Sequence, residues 1–153
     1  VAVAVLPLKM MSADEVNSSK KILKVARSYR DLELYRQAFL FQQAVFKVTQ
    51  SFPKEERYSL TDQVRRSSRA VGANIAEAWS KRRYEAHFLS KLTDADGELQ
   101  ETLHWLRTAY SCKYLSKETC ETLVNQASEL GRILGSMITN HRRFCIMPPT
   151  SEH

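Results

Sequence analysis

The chain has 153 residues, a net charge of +6 and a pI near 9.3, with four glycines, four prolines and three cysteines. A chain of this length buries a core as one domain without covalent staples, and so few glycines and prolines exclude an all-β fold, which needs turn residues every ~8–12 positions. Cys112, Cys120 and Cys145 are odd in number and none are spaced Cys-x-x-Cys, which argues against a disulfide framework or zinc site and fits a reducing cytoplasm.

The first eight residues, Val1 to Leu8, are apolar but short, with no basic lead and no clear cleavage site, so they read as neither a signal peptide nor a membrane span. Residues 1–28 hold no sustained period and carry a basic run, Lys20, Lys21, Lys24 and Arg27; they read as a flexible basic arm with a short helix near Ile22–Ala26. A first long helix is expected from about Asp31 to Ser51. Its residues Leu34, Ala38, Phe41, Val45, Val48 and Phe52 recur in alternating steps of four and three, flanked by a second stripe of Leu32, Tyr35, Phe39 and Phe46. Asp31 is placed to cap it and Pro53 to end it.

A second helix is expected from about Thr61 to Arg82, with Leu60, Val64, Ser68, Val71, Ile75 and Ala78 on one face. A third follows from about Tyr84 to Tyr114, with Phe88, Leu92, Ala95, Leu99, Leu103, Leu106 and Tyr110 inward. The junction between these two is so short that a kinked continuous rod is the alternative. The fourth runs from about Lys117 to Arg142, N-capped by Ser116, with Leu123, Ala127, Leu130, Leu134, Met137 and His141 inward. Residues 144–153, which contain Pro148 and Pro149, read as a flexible tail. Short connections make sequential helices antiparallel neighbours, so the expected fold is all-α, an antiparallel up-down four-helix bundle over residues 29–143.

The charge is uneven. Residues 60–83 hold six basic and two acidic side chains, whereas residues 84–113 hold three basic and five acidic. On the second helix Arg65, Arg69 and Arg66 lie roughly 100°, 140° and 200° from Val64, away from the core stripe. They are interspersed with the small residues Gly72, Ala73 and Ala76, and Lys81, Arg82 and Arg83 follow. Two readings stand side by side. The basic rim binds phosphates, or it packs against the acidic third helix, through Asp94, Asp96, Glu98 or Glu101, in assembling copies of the chain.

The run Phe52-Pro53, Glu56, Tyr58-Ser59-Leu60-Thr61-Asp62-Gln63-Val64-Arg65-Arg66 and then Asn74-Ile75-Ala76-Glu77 resembles the bacterial four-helix-bundle family. That family includes the proteins encoded in 23S rRNA intervening sequences and the accessory variability determinant proteins of diversity-generating retroelements. Asp31-Leu32-Glu33, Phe88-Leu89 and Gly97-Glu98-Leu99 add weaker matches, so the resemblance covers roughly residues 31–140. It implies a homopentameric ring of bundles. In the retroelement branch it implies a basic protein that binds nucleic acid and a reverse transcriptase. Ala78 stands where Gly usually follows the Asn-Ile-Ala-Glu run, and Ser67 and Ser68 replace the commoner alanines. Asn74 flanks the core, where its amide can bond a neighbouring helix. Glu77 lies outside it, where it can accept from an arginine across an interface.

Catalysis finds little support. Glu101-Thr102-Leu103-His104 is a single Glu-x-x-His whose two ligand candidates face away from the core, whereas a metal site inside a bundle uses inward ligands and two copies. His87 and His141 are isolated, and Trp79 and Trp105 suit packing or an interface. The expectation is a non-enzymatic, oligomeric nucleic-acid-binding accessory protein with no cofactor and no metal. Arg65, Arg66, Arg69, Lys81, Arg82, Arg83, Arg142 and Arg143 would make the phosphate contacts, with RNA or DNA and a reverse transcriptase as partners and no membrane. The alternative is a protein-interaction scaffold whose basic second helix serves self-assembly.

Overall fold

The computed structural model describes residues 26–146; the arm up to residue 25, including most of the short helix expected near Ile22–Ala26, and the tail from residue 147 lie outside the described residues. Four long helices form the body: α1 (Glu33–Thr49), α2 (Asp62–Ser80), α3 (Glu85–Ser111) and α4 (Lys117–Thr139). The pairing of side chains across α2 and α3 runs in opposite senses. Arg66 meets Glu101, Ser67 meets Thr102 and Glu77 meets Lys91, which makes the two antiparallel. Arg65 reaches Thr49 and Arg69 reaches Phe46, so α1 and α2 are antiparallel as well. Contacts of α4 with both α3 and α1 close the square.

The α2–α3 junction is a hairpin, not a continuous rod. Lys81 N–H returns to Ala78 O at 2.9 Å, Tyr84 N–H to Lys81 O at 2.9 Å, and Tyr84 is extended. The core takes Leu34, Ala38, Phe41 and Val45 from α1, and Val64, Val71, Ile75 and Ala78 from α2. The other half of the square supplies Phe88, Leu92, Ala95, Leu99 and Leu106 from α3 and Leu123, Ala127, Leu130, Leu134 and Met137 from α4.

Several sequence expectations shift by a turn or a face. Asp31 does not cap α1; its carboxylate turns back to accept the amides of Arg27 and Ser28, both at 2.9 Å, closing the short 3-10 turn Tyr29–Asp31 that precedes the helix. The heptad on α3 continues from Leu99 to Thr102, Leu106 and Ala109, all fully buried, so Leu103 is only half-buried and Tyr110 is exposed. Phe39 is likewise exposed. Thr102 escapes a hydrophobic count because it is polar. Its Oγ1 lies 2.8 Å from both Ser67 Oγ and the Glu98 carbonyl, so the two hydroxyls satisfy one another inside the α2–α3 contact.

The α3 helix stops at Ser111, earlier than Tyr114, through a paired C-cap. Lys113 N–H bonds Tyr110 O and Tyr114 N–H bonds Ala109 O, both at 2.9 Å, with Lys113 at φ 63°. Glycine normally holds that left-handed position, and its absence hides the stop in the sequence. Beyond it, the Tyr114 hydroxyl donates to Glu56 at 3.0 Å, tying this loop to the α1–α2 connection. Ser116 caps α4 as expected, accepting Thr119 N–H at 3.1 Å. The α4 helix ends at Thr139, so His141 leaves the core stripe and sits on the 3-10 turn His141–Phe144. That turn is not loose: Phe144 packs 6.5 Å from Phe88, and Ile146 N–H bonds Arg82 O at 3.0 Å.

Arg66 clips the same α2–α3 pair from outside. Its guanidinium lies between Glu98 and Glu101, and Glu101 also accepts Trp105 Nε1–H at 3.1 Å. Hydrogen bonds from Arg66, then from Trp105, hold the Glu101 carboxyl below its ordinary value.

Three outcomes follow for stability, all read by urea denaturation. Thr102→Val should destabilise by about 1 kcal/mol, because Ser67 loses its short hydrogen bond across the helices and keeps only the 3.4 Å one to the Val64 carbonyl. Adding Ser67→Ala should cost little more, leaving a coupling energy between the two. Arg66→Ala should cost about 0.5–1 kcal/mol at pH 7, since the pair is half exposed. A depressed carboxyl stabilises above its unfolded pKa and loses that contribution as the pH falls through its folded value. The gap between wild type and Arg66→Ala should therefore shrink below about pH 4.5 and close in stronger acid. Lys113→Gly should stabilise by about 0.5–1 kcal/mol by relieving the left-handed backbone; an unchanged midpoint would contradict the cap.

Candidate nucleic-acid interface

The eight basic residues singled out from the sequence fall into two groups. Arg66 and Arg82 are sixteen positions apart on one helix and its cap, which is roughly 24 Å at 1.5 Å per residue.

The first group sits midway along and near the start of α2, and its members are used within the chain. Arg65 Nε donates to Thr49 Oγ1 at 2.8 Å, and its guanidinium covers the Phe46 ring at 4.8 Å. Arg69 covers the same ring at 5.6 Å. Together they keep Phe46 half-buried, a cation–π arrangement along the α1–α2 seam. Arg66 is held by Glu98 and Glu101 of its own chain. The expected pairing of basic α2 with acidic α3 therefore forms inside one molecule.

The second group is gathered at the opposite end, where α2 ends, α3 begins and α4 finishes. Arg82 Nε donates to Trp79 O at 2.8 Å and its guanidinium stacks 3.5 Å from the ring centre of the buried Trp79. The Ile146–Arg82 backbone bond brings the segment carrying Arg142 and Arg143 against the 81–83 run. Arg83 is exposed and Arg143 half-buried, and neither forms an ion pair among the described residues.

The acids at this end are already engaged. Glu77 does not await an arginine from another subunit: Lys81 and Lys91 hold it at 3.1 and 3.2 Å, and their hydrogen bonds, Lys81 first, depress its carboxyl. Glu85 Oε1 accepts from Arg142 Nε at 2.7 Å and faces His141 Nε2 at 2.9 Å, and these contacts, Arg142 first, lower its pKa. His141 Nδ1 lies 2.8 Å from Ile138 O, so both ring nitrogens face acceptors. Asn74 is half-buried and forms no side-chain hydrogen bond among the described residues.

Sequence reasoning passes over Tyr84, which is 65% exposed between Arg83 and Glu85 and reads there only as the start of a helix. It also misses Leu40, 59% exposed beside Phe39; with Arg30, Tyr35 and Arg36 these two residues line an open groove on α1. Of the Glu-x-x-His pair, Glu101 is occupied by Arg66 and Trp105, and His104 is exposed with its ring 4.7 Å from that of Trp105. Among the described residues, no group of three or more His, Cys, Asp or Glu side chains is arranged to hold a metal ion, and no helix is long and apolar enough to cross a membrane.

No curated protein matches the chain. Among solved structures, the chain is similar to a protein of unknown function from the S23 ribosomal protein family of Bacteroides thetaiotaomicron VPI-5482. The two share 27% identity over 69% of this chain and 95% of that one, with a TM-score of 0.64. The model of the 23S rRNA-intervening sequence protein family matches residues 30–136, from the turn before α1 to the last turn of α4. With most of the chain, three whole helices and nearly all of α4 inside that match, the protein belongs to the 23S rRNA-intervening sequence protein family.

Proposed function

We propose that this protein is a non-enzymatic accessory protein that binds RNA or DNA through the basic end of its bundle. The observation that carries the reading is the convergence of Lys81, Arg82, Arg83, Arg142 and Arg143, from two distant stretches of sequence, onto one end. The two acids there, Glu77 and Glu85, are covered by the chain's own cations, and Arg83 and Arg143 remain for phosphates. Contacts of this kind are electrostatic and select weakly among sequences. Arg65, Arg66 and Arg69 take a secondary place, because each already serves a contact within the chain.

A second reading has its own observation. Phe39 and Leu40 are 45% and 59% exposed on α1, beside Arg30 and Arg36. An apolar strip of this kind suits self-association into the ring that the family resemblance implies, pentameric in that case. The two readings use different surfaces and are compatible.

The test is anisotropy with labelled single-stranded RNA, single-stranded DNA and duplex DNA across a salt series. Replacing Arg83, Arg142 and Arg143 together by Ala should lower the slope of log K against log salt by about 1.4–1.8 units, near 0.7–0.9 for each of the two phosphates that Arg83 and Arg143 neutralise. The Arg65, Arg66 and Arg69 triple variant should leave the slope nearly unchanged. The opposite pattern would move the interface to α2, and the absence of binding at low salt would remove the nucleic-acid reading. Light scattering of a Leu40→Glu variant reports on the second reading: a mass unchanged from wild type would exclude that strip as the contact between copies.

A further inference from the structure

We infer that Tyr84 is a stacking platform for an unpaired base, which makes the preferred ligand of the basic end a single strand or an unpaired nucleotide and not a continuous duplex. The inference rests on the nucleic-acid reading above and adds to it the part of the ligand that phosphate contacts leave unspecified.

Tyr84 presents an aromatic ring that is 65% exposed, and its hydroxyl forms no hydrogen bond among the described residues. A ring whose neighbour is another exposed ring, that of His87, and whose hydroxyl is unbonded contributes little to the fold in this position. Its backbone does contribute: Tyr84 N–H closes the junction turn on Lys81 O, and Tyr84 O accepts Phe88 N–H, both at 2.9 Å. The side chain is thus held out from a fixed backbone, which lowers the ordering cost of a stacked partner.

The surroundings decide between the exposed aromatic residues. Tyr58 is more exposed, at 80%, but it follows Glu55 and Glu56 and precedes Asp62, and Arg57 already lies over its ring at 5.8 Å. A polyanion is repelled there. Tyr84 follows Lys81, Arg82 and Arg83 directly, and its acidic neighbour Glu85 is bound by Arg142 and His141. The His87 ring stands 5.8 Å from that of Tyr84, tilted by 57°, and adds a second exposed ring to the cluster. Phosphate-binding cations interleaved with open aromatic faces are how proteins hold single strands without reading sequence. A base within a duplex has both faces covered by its neighbours, so only an unpaired one can stack on the ring.

The test uses the full chain and a short labelled strand as single-stranded RNA, as single-stranded DNA, as duplex, and as an abasic strand of the same length. Tyr84→Ala should weaken single-strand binding about five- to a hundredfold at fixed salt. It should leave the salt slope and the duplex affinity unchanged, and Tyr84→Trp should restore binding. The abasic strand should bind the wild type as weakly as the normal strand binds Tyr84→Ala. Equal single-strand affinities of wild type and Tyr84→Ala, with the Arg83, Arg142 and Arg143 variant still impaired, would overturn the stacking site and leave the phosphate interface standing. A wild type that binds no strand at low salt would overturn both.

Discussion

The close approach of α2 to α3 is the constraint on which the rest depends. It is set by what α2 does not carry: its buried face offers Ser67, Ser68, Gly72 and Ala78 between the larger Val64, Val71 and Ile75. Small residues let the neighbouring helices come near, and the polar ones among them need partners. Ser68 Oγ donates to Arg65 O in its own helix at 3.0 Å, and Ser67 meets Thr102 across the gap. Gly72 lies against α1, where a Cβ would stand 3.7 Å from the Tyr35 ring and 3.8 Å from Ala38 Cβ, ordinary contact distances. On that side α2 is close to α1 without being strained, and α4 completes the square.

The pairing of charges follows from the same geometry. With α2 drawn between α1 and α3, arginines on its flanks reach across short distances and are used up. Arg65 and Arg69 shield Phe46, and Arg66 joins Glu98 and Glu101. Half-exposed pairs of this kind contribute little net stability each; their larger effect is to remove charge from the middle of the molecule. At the hairpin end the helices stop, and the ratio reverses. Five basic side chains meet two acids, so cations remain after every acid is satisfied.

Most of the bundle was legible in the sequence because four- and three-residue steps specify a buried stripe directly. The stripe of α2, from Leu60 to Ala78, is buried throughout. What escaped has identifiable reasons. Thr102 and Ala109 replaced Leu103 and Tyr110 because the seam follows spacing and not hydrophobicity, and a hydroxyl with a partner is as welcome there as a methyl. The end of α3 was invisible because Lys113 stands where a glycine would have announced the turn. At the candidate site, the basic residues themselves were legible. Their division into two groups was not, since it depends on the Ile146–Arg82 bond and on the ion pairs that tie the His141–Phe144 turn to Glu85 of α3.

That bond bears on how the basic end works. A cation on a mobile segment must be ordered when it binds, and the ordering subtracts from affinity. Arg82 is fixed by stacking on Trp79. The segment from His141 to Ile146 is fixed three times over: by Glu85 through Arg142 and His141, by Phe144 on Phe88, and by Ile146 on the Arg82 carbonyl. Glu85 is thus the central residue of the end although it carries the opposite charge from any anionic ligand. It gives up one negative charge to hold Arg142 and His141, leaving Arg143 and Arg83 on a rigid frame with the Tyr84 ring among them. Removing Glu85 would raise the net charge of this end yet remove one of the three ties that hold the turn carrying Arg142 and Arg143. Positioning and charge thus pull in opposite directions at this one carboxylate.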